Sequence, residues 1–330
     1  SLGDAVFGAF MSSTTEAIIY GLIFVVLTML IVLGGVGGGI EKVCSVGMPA
    51  LFVMLVICII RSCTLEGASE GLKYMFVPGW ALANGVSKEA PDFFSVVSTA
   101  GGQMFFSLSL GMAAMITYGS YLDKKENLQK NAIIIVVMDT LVALMAGLCV
   151  IPGRFALDPT GKLGGPSLLF VTMQNVFDRM GAAGPIFGIL FYLLVVFAAV
   201  SSSISLLEAV VAHFVDKARD EGKGDKRKLY SLIGAIGAGI LCVIVCLDAL
   251  GNAGISPADI LGMRVDPSDE VPTWSADWLD FFDCIAEGIL MPLGAQLMNI
   301  MYGWELGPEV VNAEETGEGH ILGAYGCVRI

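Results

Sequence analysis

Two stretches of this sequence set hydroxyl side chains inside otherwise apolar runs. Residues 103–111 read QMFFSLSLG, so Ser107 and Ser109 alternate with large apolar residues and the run ends at Gly111. Residues 198–203 read AAVSSS, placing Ser201, Ser202 and Ser203 consecutively in a second apolar run. Hydroxyl and carbonyl oxygens, with no nitrogen or sulfur among them, suit a hard monovalent cation. The same residue types also serve as packing contacts between helices; two such stretches together favour the ion. A third polar feature is Asp139, in IIIVVMDT. A lone carboxylate inside a membrane helix costs roughly 2.5–3.5 kcal/mol, so Asp139 requires a partner. Other chemistries lack residues. The eight cysteines show no metal-ligand spacing, and Cys242 and Cys246, four apart in an apolar run, read as small buried apolar groups. His213 and His320 do not make a metal centre. No nucleophile–base pair stands out, so the chain does not read as an enzyme.

The elements that must hold these residues follow from composition. Of 330 residues, 55% are hydrophobic and only 15% charged, whereas soluble domains carry about 25% charged residues. Apolar runs occupy residues 17–33, 40–60, 94–121, 132–151, 185–215, 229–247 and 279–302. Each is long enough to cross the hydrocarbon core as a helix. The lipid bilayer is therefore the expected surrounding. A net charge of −13 leaves no basic footprint for nucleic acid.

The connections alternate between short and long. The short ones, with their helix ends, hold ten basic residues, Lys124, Lys125, Lys223 and Lys226 among them; the far longer ones hold seven. The positive-inside rule places the short loops in the cytoplasm. Runs 94–121 and 185–215 exceed the length a straight span needs, which calls for tilt, a break or an extension. In the first, the hydroxyls and glycine fall mid-span and predict a helix interrupted between about Phe105 and Gly111. Gly39-x9-Pro49 should permit local unwinding at the cytoplasmic end of the second span. Residues 165–180 read as an amphipathic helix carrying Leu168, Leu169, Val171, Val176 and Phe177. It would either lie on the membrane surface or plug an outer vestibule; the shortage of Lys and Arg favours the plug.

Four segments, GQMFFSLSLGMAAMITYGSY, FAAVSSSISLLEAVVAHFVD, Gly39-x9-Pro49 and WLDFFDCIAEGILMPLGAQLMNIMYGWEL, resemble in order and separation the bacterial neurotransmitter:sodium symporters. Members of that family carry amino acids or amines inward on the sodium gradient. The resemblance implies an all-α integral membrane protein, a helical bundle of the five-plus-five inverted-repeat type, incomplete at both ends, with about seven transmembrane helices present. Within a single membrane domain, 1–330, residues 17–62 would supply the last two helices of the first repeat and 94–304 the second repeat. Residues 305–330 would be a polar tail before a further helix. In that register the chain, which starts at Ser1 without a basic leader, is expected to be a piece of a longer protein.

By the same resemblance, Phe106, Ser109, Met112, Ser202 and Leu206 would line a substrate pocket, with Phe106 as its aromatic lid. The carbonyl of Ala198 with Ser201 and Ser202 would hold one sodium ion, and Ser107 with Asp139 a second. Both Na+ sites would be incomplete without the family's first helix. Ser120, Tyr121, Glu208 and Asp216 match the cytoplasmic gate, whose arginine would precede helix one, and Asp283 matches the acid of the outer gate. Glu287, four residues on, has no matching role; it would face vestibule water or a substrate amine. The implied function is sodium-coupled symport of a hydrophobic amino acid across the cell membrane by alternating access. A proton-coupled or uncoupled carrier, or a sensor on the same fold, are the alternatives. Where the family pattern has a sodium-ligating asparagine, this sequence has Asp139. Animal members bind chloride beside that position, so Asp139 predicts independence from chloride.

Overall fold

Among the described residues the seven apolar runs are helical, run 94–121 in two pieces, because in hydrocarbon a helix satisfies every backbone N–H and C=O within one segment. A computed structural model of the chain describes residues 7–10, 13–34, 40–87, 89–120, 127–157, 168–264 and 271–306. Its main helices are α1 (Thr14–Leu33), α2 (Ile40–Cys63), α3 (Ala68–Phe76), α4 (Phe93–Ser107), α5 (Ala114–Gly119) and α6 (Leu128–Leu157). They continue as α7 (Met173–Asp178), entered by a π-helical turn Leu168–Thr172, α8 (Gly184–Asp220), α9 (Arg227–Asp248), α10 (Trp278–Ile285) and α11 (Met291–Met301). Among the described residues, five stretches are long and apolar enough to cross a membrane unbroken: α1, α6, α8, α9 and the run from α10 through α11. The last part of α2 joins α3 through a 112° bend as a sixth candidate. The interrupted pair α4–α5 is not among these candidates.

Local sequence explains the irregularities. The bend before α3 turns on Gly67 at φ +87°, a conformation that costs glycine little. A Cβ on Gly71 would lie 2.6 Å from Pro152 Cα, so α3 rests against the end of α6 only because residue 71 lacks a side chain. A π-helical turn, Ala286–Leu290, links α10 to α11 immediately before Pro292, which has no N–H to continue a regular ladder. Pro49, by contrast, sits inside a continuous α2. Residues 40–63 are helical throughout, since one proline forfeits a single hydrogen bond while the rest of the ladder holds. Gly39 lies outside the described residues.

The chain divides into two compact units, one of Ser1–Asp92, Leu141–Ile204 and Ser231–Ala249, the other of Phe93–Thr140, Ser205–Tyr230 and Leu250–Ile330. The core of the first gathers Met54, Leu55 and Cys58 of α2, Met145 and Cys149 of α6, Met173 and Phe177 of α7, and Phe191 of α8. Val171, Met173, Val176 and Phe177 are each at most 2% exposed. This overturns the reading of residues 165–180 as a helix on the membrane surface; residues 165–167 lie outside the described residues. Thr172 is buried too, so the segment is embedded on more than one face. Burying its large apolar side chains stabilises the unit by roughly 1.5–3 kcal/mol each relative to water.

Candidate functional site

In the second unit, α4 stops at Ser107 and α5 starts at Ala114. The interruption falls over residues 108–113, slightly later than the sequence suggested. The amide of Leu110 donates to the carbonyl of Phe105 at 2.8 Å, closing the last turn of α4. Beyond it, Ser109, Gly111 and Ala113 take left-handed backbone angles, with φ of 55°, 77° and 63°. The break is seated on the start of α11. A Cβ on Gly111 would collide with the Met291 carbonyl, and one on Gly294 would come within 2.5 Å of the Gly111 carbonyl. Two glycines therefore let the non-helical backbone approach the helix that supports it.

At the end of α4, Ser107 Oγ faces both carboxylate oxygens of Asp139 on α6, 2.8 Å from Oδ1 and 2.9 Å from Oδ2. The hydroxyl has one proton and shares it between two acceptors. This is the partner that a carboxylate inside an apolar helix requires; a hydrogen bond to a charged group contributes roughly 1.5–3 kcal/mol, comparable with the insertion cost. Phe106 and Leu206 are 48% and 46% exposed, while Ser109 and Met112 are half-buried at the break.

The serine triplet on α8 belongs to the first unit. Ser201 Oγ donates to the Ala198 carbonyl at 2.8 Å, which brings two of the three expected ligands together. Ser202 is exposed. Ser203 Oγ donates to the Val200 carbonyl and also lies 2.8 Å from Thr28 Oγ1, which itself donates to the Phe24 carbonyl. With one proton per hydroxyl, only two of these three contacts can be filled at once. Thr28, buried on α1, was not singled out from the sequence; its one signal is a hydroxyl in a run of apolar residues.

The expected gate residues fare differently. Ser120 Oγ donates to the Thr117 carbonyl at 2.6 Å, at the end of α5, and Tyr121 lies outside the described residues. Glu208 has a side chain only 1% exposed and forms an ion pair with Arg227, whose side chain is 23% exposed, at the start of α9. An arginine inside this chain thus pairs with Glu208. One turn earlier on α8, Ser205 Oγ meets Tyr118 Oη of α5 at 2.6 Å. Neither hydroxyl was singled out from sequence. Asp216 and Asp283 are exposed. A Cβ on Gly102 of α4 would lie 3.7 Å from the Glu287 carbonyl and 3.9 Å from its Cβ. Glu287 thus sits beside the first half of the broken helix.

Comparisons with known proteins follow the same lines. A model of the sodium:neurotransmitter symporter family matches residues 11–262. The chain is 32% identical over 310 residues to the uncharacterised sodium-dependent transporter YhdH of Bacillus subtilis, covering 94% of this chain and 62% of that protein. It is 33% identical over 301 residues to an uncharacterised sodium-dependent transporter of Haemophilus influenzae, covering 90% and 58%. The crystal structure of MhsT in complex with L-phenylalanine matches 99% of this chain and 67% of its own, with a TM-score of 0.79 and 32% identity. The chain spans about three fifths of the length of these curated relatives.

Proposed function

Because the chain belongs to the sodium:neurotransmitter symporter family, a family of membrane transporters and not of enzymes, we propose that it serves sodium-coupled uptake of a hydrophobic L-amino acid by alternating access. The observation that carries this reading is the Ser107–Asp139 contact beside a broken helix. It sets an oxygen-only donor set, with one negative charge, next to freed backbone. Such a set fits a hard monovalent cation. The Ala198 carbonyl with Ser201 and Ser202 offers a second oxygen-only set for sodium. Phe106, Ser109, Met112, Ser202 and Leu206 would receive the substrate, and the apolar side chains among them select apolar cargo. The likeness to MhsT, solved with L-phenylalanine, supports an amino acid of this class.

In this reading Ser120, Tyr121, Glu208 and Asp216 guard the cytoplasmic side, Asp283 guards the outer side, and the short basic loops face the cytoplasm of a cell whose plasma membrane holds the protein. Ligands for both sodium ions would also come from a helix outside these 330 residues.

Uptake of labelled L-phenylalanine and L-leucine, measured in proteoliposomes holding the full-length protein, tests the proposal. Accumulation should require an inward sodium gradient and be abolished by Ser107→Ala with Asp139→Asn. Uptake driven equally by a proton gradient, uptake without any gradient, or saturable binding without uptake would each reject it.

A further inference from the structure

In the first unit, α2 and α6 present side chains of unequal size to one another. Leu51, Met54 and Leu55 of α2 fall at helical spacing on one face. The facing stripe of α6 carries shorter residues, Val142, Ala146, Cys149 and Val150. The mismatch leaves a cavity of about 190 Å³, closed further by Leu169 of the turn before α7 and by Phe191 and Val195 of α8. Every lining side chain is apolar, and Cys149 is fully buried.

A water needs two to four polar partners, and this cavity offers none from its side chains; apolar cavities of about 150 Å³ stay dry and accept benzene. The sulfur atoms of Met54 and Cys149 and the ring of Phe191 make the wall polarisable, which favours an aromatic ring over an aliphatic one of equal size. We propose that this cavity is a binding site for a single-ring, uncharged aromatic molecule. It shares no residue with the substrate and sodium positions proposed above. Because Leu169 forms part of the wall, an occupant also bridges the turn before α7 to α2, α6 and α8.

Fluorobenzene, followed by fluorine NMR on the full chain in lipid nanodiscs, is the test. Wild-type protein should give saturable broadening over that of empty nanodiscs. At ten times the dissociation constant, the ratio of folded to unfolded protein should rise about elevenfold, read as an upward shift of the melting temperature. Ala146→Phe, which fills the space, should abolish both effects, and Ala146→Leu provides the same control with a smaller change. Cyclohexane should bind severalfold more weakly than benzene. A strictly linear, non-saturating signal in wild type means partition into lipid and overturns the site. Unchanged binding in a folded filled variant overturns its location. Equal affinity for cyclohexane overturns the aromatic class.

Discussion

Replacing Arg227 by Met tests what holds the junction of α8 and α9. Glu208 is almost wholly buried and its carboxylate meets the Arg227 guanidinium directly. Pairs at exposed positions are worth about 0–1 kcal/mol, but depth changes the accounting. Taking the cation from a buried carboxylate typically costs about 3–5 kcal/mol, because the charge keeps its desolvation penalty and loses its compensation. Replacing both members by apolar residues is often neutral or stabilising. Arg227→Met should therefore lower stability by about 3–5 kcal/mol, Glu208→Leu with Arg227→Met by far less, and the two changes should be strongly non-additive. Arg227→Lys should fall between, since an ammonium lacks the planar fork that a guanidinium offers a carboxylate. The assay is equilibrium unfolding of the full chain in micelles across the four members of the cycle, with Arg227→Lys measured beside them. If Arg227→Met costs under 1 kcal/mol, the pair behaves as a surface ion pair and the reasoning from burial is wrong.

Three further outcomes are expected. Gly111→Ala should destabilise the protein by more than 1 kcal/mol, since its Cβ would meet the Met291 carbonyl at a left-handed φ; the melting temperature checks this, and an unshifted value would contradict the close seating of the break. Sodium-driven uptake by the full-length protein should persist when gluconate replaces chloride, and Asp139→Asn should weaken sodium affinity or create a need for chloride. Hydrogen bonds from Ser256, with Arg264 nearby, hold the Asp259 carboxyl below its usual 3.8. Its contribution is complete above pH 3.8 and declines as pH falls through the depressed value, because protonation then removes the acceptor. The Trp278 indole, bonded to the neighbouring Ile255 carbonyl, should report that loss in acid fluorescence titration, and Asp259→Asn should remove the response.

Helical spans and the site of interruption were legible because each rests on local chemistry: apolar length for the spans, hydroxyls and glycine for the break. What supports the break was not legible. Gly294 and Met291 lie some 180 residues along the chain from Gly111 and meet it only through the fold. The Ser107–Asp139 contact could be anticipated from family register, whereas composition alone asked only for some partner. The cation that pairs with Glu208 was not legible either. The last turn of α8 and the loop after it offer several cations, of which Arg219 lies 3.4 Å from Asp225 and Lys223 2.5 Å from Glu221. Spacing cannot tell which one turns inward. For residues 165–180 the alternation of apolar and polar residues suggested one wet face, yet Thr172 is buried with its hydroxyl unpartnered. Periodicity reports which residues can be buried, not how many faces neighbours cover.

Backbone strain adds an independent line to the reading of the break, provided it is weighed with care. Ser109 and Ala113 adopt the left-handed region, at a cost of roughly 1–2 kcal/mol for a residue with a Cβ. Glycine at 109 would remove that cost; under the proposed function, the Ser109 hydroxyl would serve the substrate position. Ala113 offers no such group, and Ala249 and Leu250 share the same backbone region with no polar side chain to use. Left-handed residues therefore mark sharp turns in this protein generally. What separates 109 from 249 is company: an interrupted span, a hydroxyl paired to a carboxylate two residues before it, and two glycines bringing another helix to its backbone. A strained residue becomes evidence of function only when chemistry converges on it, and among these four positions Ser109 alone has such company.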